Sequence, residues 1–153
     1  MASQTFQETS RFPRFILILL VFHCIIMSFI LTRMDEFSMI IVYITVPLLL
    51  LFIFSFLKLN LNKNYFEYSF FPFTLKTKRI QWDEIQEVQI VKTDPIFDFG
   101  GWGVRLSKKY GTAYIGNNEI IFLKLKNGKR RSFSIKNKEA LVEFLDSNGI
   151  SYC

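Results

Sequence analysis

The sequence predicts a two-helix transmembrane hairpin followed by an α+β module of about seven antiparallel strands, in a curved sheet or open barrel capped by one C-terminal helix. Three observations carry that expectation. Two long apolar runs without a charge stand near the N-terminus. A series of short runs that alternate polar and apolar residues follows, punctuated by Pro, Gly and Asn-Gly signals. One amphipathic stretch closes the chain. The 153 residues are 50% hydrophobic, with 18 Phe and a net charge of +6. That much apolar surface excludes a disordered chain. The only cysteines, Cys24 and Cys153, exclude a disulfide-stapled mini-protein.

Residues 1–11 read as a cytoplasmic tail, 12–57 as the hairpin, with spans at 12–32 and 37–57, and 58–153 as the cytoplasmic module. The first run, Phe15 to Leu31, and the second, Ser38 to Leu57, hold no charged residue. A helix needs roughly 20 apolar residues to cross the hydrocarbon core. The second run meets that length, and the first does so with Phe12 and Thr32 included. The short polar connection Thr32-Arg33-Met34-Asp35-Glu36-Phe37 makes the two helices antiparallel neighbours. Arg11 and Arg14 precede the first run as in a signal peptide, but no small-x-small site follows and a second run comes at once. His23, bulky, stands before Cys24 where a lipoprotein signal needs a small residue.

Orientation follows the basic residues. Arg11, Arg14, Lys58 and Lys63 flank the outer ends, whereas the loop sets Arg33 against Asp35 and Glu36. The expected location is therefore the cell membrane, multi-pass, with both termini cytoplasmic and Cys153 a thiol in a reducing compartment. His23 is the only histidine. An ionisable group inside a span is a functional candidate. The plainer and favoured reading is a neutral imidazole bonded to a neighbouring helix, at Thr45 or Tyr43. Pro47 kinks the second helix, and Cys24 is a small buried hydrophobe.

The module is read in chain order. Residues 58–63 (KLNLNK) form a linker. Asn64 to Phe71 alternates with period two and predicts a strand that Pro72 ends. Thr74 to Ile80 returns, and Asp83 to Lys92 follows, offering Ile85, Val88 and Ile90 to a core. Asp94-Pro95 marks a turn. Gly103 to Lys108 and Thr112 to Ile115 are short strands. Asn127-Gly128 between Glu119–Lys126 and Lys129–Ile135 is a hairpin signal. A two-residue turn there sets Phe122 opposite Phe133 and Ile120 opposite Ile135. Asn137 caps the last helix, Ala140, Leu141, Phe144 and Leu145 line one face, and Gly149 ends it.

Several of these stretches carry a resemblance. The basic-aromatic first hairpin, Ile80-Gln81-Trp82-Asp83-Glu84-Ile85, Phe99-Gly100-Gly101-Trp102-Gly103-Val104-Arg105, Lys126-Asn127-Gly128-Lys129 and the final helix resemble bacterial pleckstrin-homology-like domains. More narrowly, the chain is similar to small bacterial membrane proteins with one or two spans before such a domain. The resemblance covers residues 58–150. It implies a fold and a membrane location, and carries no catalytic or ligand residue across.

Gly100-Gly101-Trp102-Gly103 is not a phosphate loop, because a strand-like Val104-Arg105-Leu106 follows where a helix is needed. The glycines serve a sharp bend with Trp102 packed over it, and Arg105 is expected to pair with Asp98 rather than meet a head group. The module has no histidine and one terminal cysteine, so nucleophilic triads and the common zinc sites are out of reach. No catalytic residue, metal site or cofactor is expected. The 16 Lys and Arg against 10 Asp and Glu of residues 58–153 hold the whole positive excess. Lys76, Lys78 and Arg79 cluster near the first hairpin, and Lys129, Arg130 and Arg131 lie at the Asn-Gly turn. With Arg105 these are the candidate contacts for lipid or partner. Two readings stand for them: a solvated basic face, or weak attraction to anionic lipid, at about 1 kcal/mol per base.

The sequence thus points to a non-enzymatic integral membrane protein that presents a binding or scaffold module to the cytoplasm. Its expected partners are the bilayer and another protein or a second copy, met by an exposed strand edge or the groove between sheet and helix. Anionic lipid head groups are the alternative, and a subunit of a membrane transport complex a third; nucleic acid is not expected.

Overall fold

Burial alternates with period two along the first strands, and that alternation builds the core. The computed structural model describes residues 5–11, 14–31, 37–72, 74 and 76–153. Strands β1 (Phe6–Arg11), β2 (Phe56–Leu61), β3 (Tyr65–Phe71) and β4 (Lys78–Gln81) form one antiparallel sheet in that order. Leu57, Leu59 and Leu61 are buried opposite Phe70, Tyr68 and Phe66. Strands β5 (Ile85–Lys92), β6 (Gly103–Ser107), β7 (Gly111–Ile115), β8 (Glu119–Leu125) and β9 (Arg130–Ser134) form a second sheet, ordered β5-β8-β9-β7-β6. Its pairs are antiparallel except β7 beside β9, which is parallel.

Aromatic rings join the two sheets. Phe133 of β9 lies 5.0 Å from Phe66 and 4.6 Å from Tyr68, ring centre to ring centre. Tyr114 of β7 stacks on Phe133 at 5.3 Å and meets Phe70 at 5.5 Å. Such pairs add about 0.5–1.5 kcal/mol each beyond the area they bury. A smaller cluster of Phe99, Tyr110, Ala113, Ile115, Ile120 and Phe122 fills the second sheet's other side, with Trp102 packed against it.

Two helices belong to this unit. In α3 (Pro95–Phe99), Asp94 accepts the N–H groups of Ile96 and Phe97, and Gly100 closes the end in the left-handed region. In α4 (Lys138–Ser147), Asn137 accepts the N–H of Ala140 at 3.1 Å, and Leu141, Phe144 and Leu145 are buried. The Ile150 N–H bonds the Leu145 carbonyl at 2.9 Å past Gly149, whose φ is 66°.

A second unit, Phe12–Ser55, holds α1 (Arg14–Leu31) and α2 (Phe37–Phe54), with Pro47 inside α2. The unit is an insertion: the chain leaves the sheet after Arg11 and re-enters at Phe56, and these two are register partners.

The structure corrects the membrane reading. Among the described residues, no helix is long and apolar enough to cross a membrane. Each of the two apolar helices has 18 residues, about 27 Å at 1.5 Å per residue against a hydrocarbon core of about 30 Å. The extra length asked of Phe12 and Thr32 lies outside the described residues, as does the polar loop at 32–36. At the other end Phe56 and Leu57 belong to β2 and not to the second apolar helix. The transmembrane hairpin, the multi-pass cell-membrane location and the two cytoplasmic termini inferred from it are therefore not supported.

The strand inventory is corrected as well. Instead of about seven strands in one curved sheet, nine form two sheets among the described residues. The supposed linker is β2, and residues of the N-terminal tail form β1. Trp82–Glu84 makes a 3-10 turn before β5, and Asp94-Pro95 opens a helix. The β8–β9 register sets Ile121 opposite Phe133 and Phe122 opposite Ser132, one residue from the expected pairing. The cause is a three-residue loop: the Leu125 N–H bonds the Lys129 carbonyl, and Gly128 takes a φ of 80°.

Candidate functional site

The strand order gathers cations that the sequence keeps apart. Arg105 lies on β6, Lys108 and Lys109 in the turn between β6 and β7, and Arg130 and Arg131 at the start of β9. The parallel β7–β9 pair sets Arg131 beside Thr112. The Arg130 guanidinium then donates to the carbonyls of Lys108 at 3.0 Å and Lys109 at 3.3 Å. Arg131 donates to the Thr112 hydroxyl at 2.7 Å. Arg130 thus braces the turn that carries the two lysines, and Arg131 the start of β7 that follows it.

Gly111 permits this approach. Its φ is 70°, and a Cβ there would stand under 3.0 Å from the Arg130 carbonyl oxygen and Cβ. Any side chain would push β9 away from the turn. Beside it, the buried Ser132 hydroxyl donates to the Tyr110 carbonyl at 2.9 Å.

Lys109 sits over the Tyr110 ring, 4.8 Å from its centre. The Tyr110 contact holds its ammonium above the ordinary lysine range, and Asp98 adds a smaller pull. The expected Arg105–Asp98 pair does not form. The Asp98 carboxylate reaches back to accept the N–H of Asp94, the N-cap of α3, at 2.8 Å, while the exposed Arg105 guanidinium lies beside Gly101.

The other expected contacts lie elsewhere. Lys78 and Arg79 are on β4, with Lys76 in the segment before it. Arg79 is committed: it pairs with the buried Glu67 carboxylate and lies 4.9 Å from the Tyr65 ring centre. Asn60 donates to the other Glu67 oxygen at 2.9 Å. The Glu67 hydrogen bond and charge hold Arg79 above even the usual arginine range. Lys129 is exposed at the β8–β9 turn, its own N–H held by Asn127 at 3.0 Å.

Of the seven expected contacts, Arg130 and Arg131 meet beside the β6–β7 turn, where Lys108 and Lys109 join them unforeseen, while Arg105 stays on β6 with its guanidinium beside Gly101. The Ser107-Lys108-Lys109-Tyr110-Gly111 stretch carried a signal, two adjacent bases at a tight turn. In the second unit, His23 is exposed and Cys24 half-buried on α1. Among the described residues, no group of three or more His, Cys, Asp or Glu side chains is arranged to hold a metal ion.

Comparison with protein-family models, with curated proteins and with solved structures gives no match. The likeness of residues 58–150 to bacterial pleckstrin-homology-like domains therefore rests on the sequence motifs alone.

Proposed function

We propose that this chain is a non-catalytic association module that self-assembles through its apolar helix pair. The exposure of α1 and α2 carries the reading. Ile18, Leu19, Phe22, Ile25, Tyr43, Ile44 and Phe54 are each 59–72% exposed. A helix that is apolar on every face needs cover, and contiguous apolar patches beyond a few hundred Å2 mark interaction surfaces.

Complementarity favours a second copy as that cover. Phe15 to Leu31 and Ser38 to Phe54 contain no charge, so a matching surface is itself long, apolar and uncharged. The same helix pair, related by a two-fold axis, meets that description. Each large apolar side chain fully buried contributes about 1.5–3 kcal/mol. Covering about five on each copy outweighs an association cost of about 4–15 kcal/mol.

Sedimentation velocity of the full chain tests this. A dimer or larger closed assembly is expected across the micromolar range, and Ile18→Ser with Phe22→Ser and Ile25→Ser shifts it to monomer. A wild-type chain that sediments as a monomer overturns the proposal. So does one that is monomeric on phosphatidylcholine vesicles and gains its apolar cover from lipid.

A further inference from the structure

The two edges of the five-stranded sheet are treated differently. The β5 edge is in part occupied by the chain itself: the Cys153 N–H bonds the Val88 carbonyl and the Ile90 N–H bonds the Cys153 carbonyl, each at 3.0 Å. The β6 edge has no such cover. Among the described residues, the backbone of 103–107 is paired with β7 alone. Leu106 on this strand is 85% exposed. An uncovered edge strand presents unpaired N–H and C=O groups to any extended chain.

The charge around that edge selects its occupant. Arg105 lies on the strand, and Lys108 and Lys109 follow in the turn beyond its end, which Arg130 braces. Asp98 is the carboxylate that acts on Lys109. A second copy is a poor fit. Antiparallel pairing centred on Arg105 sets that residue opposite itself, and parallel pairing lays all three cations beside their copies, both of which destabilise. Phosphate or lipid head groups satisfy the cations but leave the main-chain groups of β6 unused. An extended polypeptide with carboxylates satisfies both.

We propose that the outer edge of β6, with Arg105, Lys108 and Lys109, docks an extended acidic segment of a partner protein, which adds as a sixth strand beside β6. Leu106 supplies an apolar contact at the same place. The site lies in the β-rich unit, and does not depend on self-assembly through α1 and α2.

The test uses the full chain and a blocked, fluorescein-labelled peptide of alternating Glu and Val. Binding followed by anisotropy is expected to saturate and to weaken steeply with salt. Arg105→Glu with Lys108→Glu is expected to weaken it by about tenfold or more, since reversed rim charges act directly on encounter and fit. The same peptide N-methylated at alternate amides, on the edge that would face β6, is expected to lose binding at unchanged charge. Equal binding of the N-methylated peptide overturns strand addition. Binding of phosphatidylserine vesicles or inorganic phosphate with none of the peptide overturns the choice of partner, and a peptide that fails to bind at low salt overturns the site. Sedimentation of the double variant, expected to match wild type, separates this outcome from any failure of self-assembly.

Discussion

Glu8 caps a helix at the far end of the chain from its own strand: its carboxylate accepts the backbone N–H of Asn137 at 2.9 Å and that of Lys136 at 2.7 Å. In return the Lys136 ammonium donates to the Thr9 carbonyl at 3.1 Å. The two N–H groups precede α4, where the helix leaves donors unmet, and an anion is favoured there. β1 is thereby fixed on one side by β2 and on the other by this clamp. Glu8→Ala is expected to destabilise the protein by about 1–3 kcal/mol, the scale for hydrogen bonds to a charged group. Glu8→Gln, with one acceptor oxygen left, should fall between the two. Urea unfolding measures both, and exposed Gln7→Ala is expected to stay within about 0.5 kcal/mol.

That clamp also marks what a sequence window can and cannot reveal. β1 reads FQETSR, with one large apolar residue, so no local pattern separates it from a polar tail. Its partner β2 lies beyond the whole Phe12–Ser55 unit, and the pairing is visible only once that unit is set aside. Leu57, Leu59 and Leu61 did carry a period of two, but Lys58 and Asn60 between them, with Asn62 and Lys63 after, gave the stretch the look of a linker. Strand β3 and helix α4, by contrast, are written locally: Phe66, Tyr68 and Phe70 alternate, and Asn137 and Gly149 bracket a helical stripe. The basic site was half legible. Arg130 and Arg131 stand out as bases, but their approach to the turn that carries Lys108 and Lys109 depends on the parallel β7–β9 pair, a long-range register that no neighbouring residues encode.

Gly111 is the residue on which that meeting turns. Gly111→Ala adds a Cβ against the Arg130 backbone at a φ of 70°, a region L residues rarely adopt. Strain of this kind costs about 1–3 kcal/mol. The expected result is a lower urea midpoint together with faster hydrogen exchange at Ser132, whose hydroxyl holds the Tyr110 carbonyl. Gly128→Ala is the informative contrast. It also has positive φ, but nothing lies within 4 Å of its added Cβ, so the loss should be smaller and confined to the hairpin.

The Glu67–Arg79 pair makes a different kind of prediction, because one partner is buried and the other is not. Arg79→Met leaves the Glu67 carboxylate with Asn60 as its hydrogen-bond donor. An uncompensated buried charge destabilises more than the exposed half of the pair suggests. Arg79→Met should therefore lower the unfolding midpoint clearly, and Lys78→Met on the same strand should not. Adding Glu67→Gln to Arg79→Met removes the stranded charge, and recovery of the midpoint in that double variant is the decisive measurement.

Alkaline stability tests the aromatic join between the sheets. Burial pushes the Tyr114 hydroxyl above the ordinary tyrosine range, Tyr68 adds to the shift and Arg131 opposes it. A group whose pKa is higher folded than unfolded keeps its proton more tightly in the native state. Its contribution is then fully present below the unfolded value of about 10 and is lost as pH rises through the folded value. Urea stability should stay level toward pH 10 and then decline, with tyrosinate absorbance rising alongside. Tyr114→Phe keeps the ring stacked on Phe133 but removes the titrating proton, so the decline should become shallower. Tyr152, also raised, first by loss of hydration and then by Asp146, sits near the C-terminus outside that cluster. Tyr152→Phe should leave most of the decline in place, and a wild-type-like pH profile for Tyr114→Phe would show that this hydroxyl does not link the core to alkaline unfolding.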